Sequence, residues 1–304
     1  MNRITIVTVS DNHYLVLLAA LIKSVETNCN RTTSIRFIIV SDGISTKNRQ
    51  KLESSFDSKN LSFEWKEISA IIPPGLKLPS DRSSYPLNIY ARIFIPYFTH
   101  PSYDKVLYMD VDMIALTGIE ELWDTSLEGY PLAAVMDPRI KTVSNSWGGV
   151  RNFRELGLSE DTAYFNSGLL LFNLKEWRTR NIAEKIVECV DSNQKYLNYP
   201  DQYAMNVVLA GQWRSLDSRW NHFVTESSKS DPFIIHFVER KPIYKSYSNN
   251  PSYQQLFFSY LEQTNWKNFK LIGEGSRYLK KLKNLITKFP EFRRQGNVGI
   301  KRSK

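Results

Sequence analysis

Cysteine is nearly missing from this 304-residue chain: Cys29 and Cys189 stand far apart, with no metal-binding spacing and no disulfide framework. Two free, buried thiols are expected. Long apolar runs are missing as well. The run at residues 4–9 is cut short by Ser10, Asp11 and Asn12, too early for a secretory leader. The longest apolar stretch, residues 15–22, is too short to cross a bilayer. A cytoplasmic protein is expected. No internal repeat and no low-complexity linker is present. Histidine is scarce, with four in all, so each one that ends a strand invites attention.

What is present is a hydrophobic share of 42%, enough for one large domain or two small ones with a sizeable core. The charge is uneven. Residues 266–304 carry 12 Lys or Arg against 2 acidic residues, while the rest carries 28 basic and 29 acidic. The body is therefore neutral and the tail holds the whole imbalance, a distribution that suits an anionic membrane surface or nucleic acid. A neutral body without helix-turn-helix or zinc pattern argues against nucleic acid. In the tail, Leu279, Leu282, Leu285, Ile286 and Phe289 share one helical face and lysines fill the rest. Such a helix lies in a membrane interface; a solvated, disordered tail is the plainer alternative. The chain thus divides into a body, residues 1–262, and a basic amphipathic tail, residues 263–304, which would attach the protein peripherally to the inner face of the plasma membrane.

Apolar patterning predicts strands at 4–9, 35–40, 61–66, 105–109, 132–136, 168–172 and 233–237. Helices are predicted at 14–25, 47–56 and 87–98, after Asn173 as a cap with Glu176 three residues on, and from Pro200-Asp201 to about Gly211. Alternating strands and helices imply an α/β fold with a mostly parallel sheet. Ligands in such sheets bind beyond the carboxyl ends of the strands, where Asp11, Asn12, Asp42 and Gly43 fall. Residues 71–86 read as a loop, and 144–149, with Trp147 and two glycines, as a flexible cover.

Four groups of residues carry candidate chemistry. Asp110-Val111-Asp112 follows the strand at 105–109, so two acids can reach one cation as the chain turns. Hard oxygen ligands suit Mg or Mn. Surface acids at a strand end are the plain alternative, but the apolar flanks bury the segment and a buried acid needs a partner. His236 ends the strand at 233–237 and Lys241 lies five residues on. The imidazole is either structural or a metal ligand, with the ammonium then on a phosphate. Asp201-Gln202 at a helix start either serves the helix dipole or faces a sugar. Asn166-Ser167-Gly168 is either a turn or a place where backbone approaches a ligand closely.

Taken in order, these groups resemble glycosyltransferase family 8. The resemblance runs over residues 3–245 through Thr8-Val9-Ser10-Asp11-Asn12-His13-Tyr14, Tyr90-Ala91-Arg92 and Tyr108-Met109-Asp110-Val111-Asp112. It continues through Phe165-Asn166-Ser167-Gly168, Leu171-Phe172-Asn173-Leu174, Trp177, Asp201-Gln202, Ile235-His236-Phe237 and Lys241-Pro242. The resemblance implies a GT-A fold, Rossmann-like, with helices flanking the sheet. It implies retaining transfer of a hexose, galactose or glucose, from a UDP-sugar to a saccharide or glycolipid acceptor, as in lipopolysaccharide or other surface glycan synthesis. Asp110, Asp112 and His236 would bind Mn, or Mg. Asp11, Asn12 and Tyr14 would hold the uridine, and Lys241 the diphosphate. Arg92, Val111, Asn166, Ser167, Gly168, Asp201 and Gln202 would surround the donor, with Asp201 and Gln202 at the anomeric carbon. One departure stands out. Where the family has Gly three residues after the metal His, this chain has Glu239, which must turn away from a diphosphate or pair with Arg240. A non-catalytic UDP-sugar-binding protein is the alternative that Glu239 suggests. A phosphohydrolase with Asp-x-Asp after its first strand fits poorly, since the motif here comes near residue 110. The acceptor pocket is expected from residues 71–86 and 213–232, with Trp213, Trp220 and Asn221.

Overall fold

A computed structural model describes residues 3–56, 59–73, 87–227 and 230–273. The expected tail helix, and residues 74–86 of the expected loop, lie outside the described residues.

Strand β1 (Arg3–Asp11) is apolar through its centre. It ends where Asp11 Oδ1 accepts the Tyr14 N–H at 2.8 Å, which turns the chain into α1 (Leu15–Asn28). Every residue of α1 from Leu15 to Ile22 is buried, so this helix forms core on most of its circumference. β2 (Ser34–Asp42) pairs in parallel with β1 along its whole length, bringing Asp42 opposite Asp11. Ser45 caps α2 (Thr46–Glu53) by accepting from Asn48 N–H. β3 (Leu61–Glu67), only half buried, forms the sheet edge and leads into α3 (Ile68–Ile71).

The expected helix at 87–98 is a 3₁₀ helix over Leu87–Phe94, followed by a short α4 (Ile95–Phe98). Pro96 explains the break: it has no N–H to donate, so it sits at the start of the new helix. β4 (Lys105–Met109) joins the sheet beside β1, and β5 (Met113–Ala115) leaves it. After α5 (Glu120–Trp123) come β6 (Leu132–Met136) and β7 (Phe165–Asn173). Asn173 accepts from Glu176 N–H and caps α6 (Leu174–Thr179), which is followed by α7 (Ile182–Ser192) and α8 (Pro200–Val208). Three short strands, β8 (Arg214–Ser215), β9 (His222–Phe223) and β10 (Ile234–His236), precede α9 (Pro251–Leu261).

The main sheet has the order β3-β2-β1-β4-β7-β6-β8. It is parallel from β3 to β4, while β7 runs antiparallel to both of its neighbours. That reversal places the start of β7 against the end of β4: Met109 pairs with Leu169, and Asp110 N–H donates to Gly168 O at 2.8 Å. Asn166 and Ser167 are therefore strand residues, held in the ladder by Phe165 opposite Met136. A second sheet, β5-β10-β9, pairs His236 with Met113 on one side and with Phe223 on the other.

Two apolar layers cover the main sheet, and β4 shows how a period of two feeds both. Leu107 and Met109 face the layer with α1 and α9, whereas Val106 and Tyr108 face the one with α7 and α8. Residues 263–273 stay against the body: Asn265 N–H donates to Ser55 Oγ at 3.1 Å and Ile272 bridges Tyr244. Among the described residues no helix is long and apolar enough to cross a membrane. Cys29 and Cys189 are unpaired and half-buried, and burial pushes both thiols up to about 11.

Candidate metal centre and active-site cleft

The two sheets meet at Asp110-Val111-Asp112. β4 delivers Asp110; the chain then turns into β5, which is laced to β10, and Phe237 N–H donates to Asp112 O at 2.8 Å. His236 Nε2 consequently lies 3.4 Å from Asp112 Oδ1 and 4.0 Å from Asp110 Oδ2. One ligand atom from each of the three residues falls within 4.8 Å of the others.

The neighbours of this cluster orient it. Asn221 Nδ2 donates to Asn166 Oδ1 at 2.9 Å, so Asn221 Oδ1 is the acceptor 2.8 Å from His236 Nδ1. That hydrogen bond assigns a proton to Nδ1 and turns Nε2 toward the acids. Asp110 Oδ1 accepts from Tyr108 Oη at 2.6 Å and from Arg92 Nη2 at 3.1 Å. A side chain on Gly168 could not fit: a Cβ there would stand 2.5 Å from His236 Cε1 and 2.9 Å from Asp110 Oδ2. Burial alone would raise the Asp112 carboxyl. Lys241 Nζ, in contact with Oδ2, and His236 outweigh that and hold it far below the usual carboxylate range. Lys241 Nζ also donates to Phe237 O at 2.8 Å.

The donor set fits a hard, hexacoordinate divalent cation: two carboxylates and one correctly oriented imidazole, with a cleft beside them for further oxygen ligands. The buried Asp112 carboxylate, now compensated by Lys241, is the group such an ion would neutralise.

Arg92 links the metal-side acids to the opposite wall. It is buried, donates to Ser167 O at 2.6 Å and Ser167 Oγ at 3.0 Å, and lies 3.3 Å from Asp201 Oδ2 through Nε. Burial pushes the Asp201 carboxyl above its ordinary value, with Arg92 opposing. Gln202 Oε1 accepts from Ser167 N–H at 2.9 Å and Asn166 Nδ2 at 3.1 Å, while its Nε2 donates to Asp137 Oδ2 at 3.3 Å. α8 thus presents Asp201 and Gln202 to the strand that carries Asn166, Ser167 and Gly168.

A cleft of about 440 Å³ is lined by both metal-side acids, His236, Gly168, Asp201 and Gln202. A recess of about 180 Å³ adjoins it, sharing Asp110, Asp112 and Lys241 and reaching Tyr14 and Val111. Asp11 and Asn12 line neither of these. Asp11 Oδ1 starts α1, and Asn12 Oδ1 accepts from Ser45 N–H at 3.1 Å and Asn48 Nδ2 at 2.8 Å, tying two loops together.

One expectation about the lining is corrected. Trp220 is buried in the core and Trp213 packs edge-on against Phe165, so neither lines the cleft; Asn221 is buried behind His236. Trp147 and Tyr199 line it instead. The 144–149 loop is a hydrogen-bonded turn, with Gly149 N–H donating to Asn145 O at 3.0 Å. Glu239 pairs with Arg139 at 2.9 Å, and Arg240 stacks over Tyr244 at 5.5 Å. The Glu239 φ of +62° lies in the left-handed region, which explains on backbone grounds why Gly is expected there. Sequence reasoning missed the roles of Asn221 and Asp137, whose partners are distant in the chain, and of Tyr108, whose partner Asp110 is two residues on.

Glycosyl transferase family 8 matches residues 5–243. This chain belongs to that family. Among relatives, General stress protein A of Bacillus subtilis is 26% identical over 281 residues, covering 86% of this chain and 94% of that protein. Glycosyltransferase GlyA of Streptococcus pneumoniae is also 26% identical, over 84% of this chain, but the match spans only 34% of GlyA. Among solved structures, the galactosyltransferase LgtC, in complex with donor and acceptor sugar analogs, matches at a TM-score of 0.70. It shares 24% identity over 87% of this chain and 99% of LgtC, a likeness of fold. As a family 8 member with this GT-A architecture, the chain is a glycosyltransferase.

Proposed function

We propose that this glycosyltransferase is metal-dependent and transfers a hexose, galactose or glucose, from a UDP-sugar to a saccharide or glycolipid acceptor with retention of configuration. The observation that carries the reading is the convergence of Asp110, Asp112 and His236 in the wall of a cleft that Asp201 and Gln202 also line. Asp110, Asp112 and His236 would hold Mn, or Mg, which when bound supplies Lewis-acid stabilisation of the charge gathering on the departing diphosphate.

The chain's own groups do the rest. Asn221 and Tyr108 fix the ligand geometry before substrate arrives. Lys241, paired with Asp112, is a cation that can turn to a diphosphate oxygen. Tyr14 and Val111 offer the adjoining recess to the uridine, and Asn166, Ser167 and Gly168 let the sugar lie against backbone. Arg92 keeps the Asp201 carboxylate in place where positive charge builds at the anomeric carbon, beside the Gln202 amide. The acceptor hydroxyl oxygen forms the new bond to that carbon as the bond to the diphosphate breaks, and the hydroxyl proton ends on a phosphate oxygen of UDP. A role in lipopolysaccharide or other surface glycan synthesis follows from such an acceptor. The excess of basic residues after 265 supports peripheral attachment to an anionic membrane.

A panel of UDP-sugars tests the reading. Release of UDP from one UDP-hexose with Mn, abolished by EDTA and lowered at least about 100-fold in Asp112→Asn, is the expected result. Full transfer by Asp112→Asn in EDTA would refute it.

A further inference from the structure

The outer rim of the cleft is shaped for a partner that the metal side does not need. Trp147 is 57% exposed, yet it is held in place. Its N–H donates to Asn145 Oδ1 at 3.0 Å, and its carbonyl accepts from Asn198 Nδ2 at 3.3 Å. A Cβ on the nearby Gly149 would stand 2.3 Å from Val143 O, so the turn closes on itself tightly. The Trp147 ring leans on Tyr199, itself 42% exposed, with centroids 6.4 Å apart. Two large exposed aromatics side by side, Trp147 on a fixed turn and Tyr199 at the start of α8, leave apolar area in water, which marks a binding surface.

Behind this rim lies a second recess, of about 340 Å³, lined by Arg139, Trp147, Thr225, Glu226 and Glu239. Arg139, Trp147 and Glu239 also line the main cleft, so they form the wall that the two spaces share. Both volumes fall in the range of small-molecule sites, roughly 300–1,000 Å³. The wall is anchored: Arg139 Nη2 donates to Thr225 Oγ1 at 2.8 Å, its guanidinium covers the Phe223 ring at 5.5 Å, and it pairs with Glu239. Glu239 also has a left-handed backbone, a strain that persists only where its surroundings fix it. Arg139 offsets one of the two carboxylates, leaving the recess acidic on balance. Acidic oxygens accept hydrogen bonds from hydroxyls and repel anions.

We propose that the acceptor is an uncharged oligosaccharide of at least two rings, with its reacting ring in the main cleft and the next ring against Trp147 in the outer recess. An aromatic face suits the C–H face of a sugar, whereas Glu226 and Glu239 suit its hydroxyl edge. This rests on the glycosyl-transfer reading above, and deepens it by naming the acceptor class.

The test measures kcat/KM for transfer to methyl glycosides of glucose and galactose, to those of maltose, lactose and cellobiose, and to a disaccharide containing glucuronic acid. UDP release without acceptor is recorded in parallel. The proposal expects at least one neutral disaccharide to exceed its monosaccharide about tenfold, a factor worth about 1.4 kcal/mol. Trp147→Ala should bring that ratio close to one, Trp147→Phe should keep most of it, and the acidic disaccharide should be the poorest of its size. A ratio near one in the unaltered chain, a ratio that survives Trp147→Ala, or a preference for the acidic disaccharide would overturn the inference alone. Absence of UDP release from every donor would overturn the glycosyl-transfer reading, and the inference with it.

Discussion

At Asn221 a single amide decides the state of the metal-side histidine. Its oxygen accepts a hydrogen bond from His236 Nδ1–H because its nitrogen is committed to Asn166. Asn221→Ala should weaken Mn binding by about 10–100-fold with the fold intact, as measured by metal titration beside far-UV circular dichroism. Lys241 sets a second balance. The Asp112 carboxyl is depressed against the pull of burial, so its stabilisation is present above the ordinary carboxylate pKa of about 3.9 and is lost as pH falls through its lower folded value. In Lys241→Met that depression shrinks. The variant should lose up to about 3 kcal/mol at pH 7 in EDTA, recover part of it with Mn, and unfold at a higher pH on acidification. Urea titrations at several pH values check this. The residues that carry such chemistry were legible where they are local: Asp110 and Asp112 by their spacing, His236 by its place at a strand end. Asn221 and Asp137 were not, since their value comes from partners that β7, β10 and α8 bring in. Glu239 was legible as an anomaly, but its partner Arg139 lies a hundred residues earlier in the chain.

Among the elements, buried strands were the easiest to read, because runs such as Ile35 to Val40 have few other homes in a chain this size. Their ends were harder. β7 begins at Phe165, not at Gly168, because ladder partners rather than hydropathy hold Asn166 and Ser167 extended. The 3₁₀ stretch before Pro96 likewise has a helical apolar pattern, and only the proline betrays its different winding. The least visible link joins α1 to β5. Ser24 Oγ donates to Leu21 O at 2.7 Å and accepts the Ala115 N–H at 2.9 Å, in full burial. Ser24→Ala leaves that N–H without its partner and should cost about 1–3 kcal/mol, read as a lower urea midpoint at unchanged slope.

Over the whole molecule, the cleft sits where the parallel half of the main sheet, its reversed strand β7 and the small sheet come together. α9 supports that junction from outside: Phe257 is 1% exposed and meets the Phe237 ring, next to His236, at 5.7 Å. Phe257→Ala should cost about 3–5 kcal/mol and weaken metal binding through the shifted β10, although residue 257 touches no ligand. Thermal unfolding with and without Mn would show both effects. The central claim is that Asp110, Asp112 and His236 hold one divalent cation for a nucleotide diphosphate. Electron paramagnetic resonance of Mn titrated into the chain with UDP tests it most directly. The account predicts one saturable site, tightened by UDP, with a nitrogen coupling that disappears in His236→Gln. Absence of saturable binding, or a spectrum indifferent to His236→Gln, would contradict it.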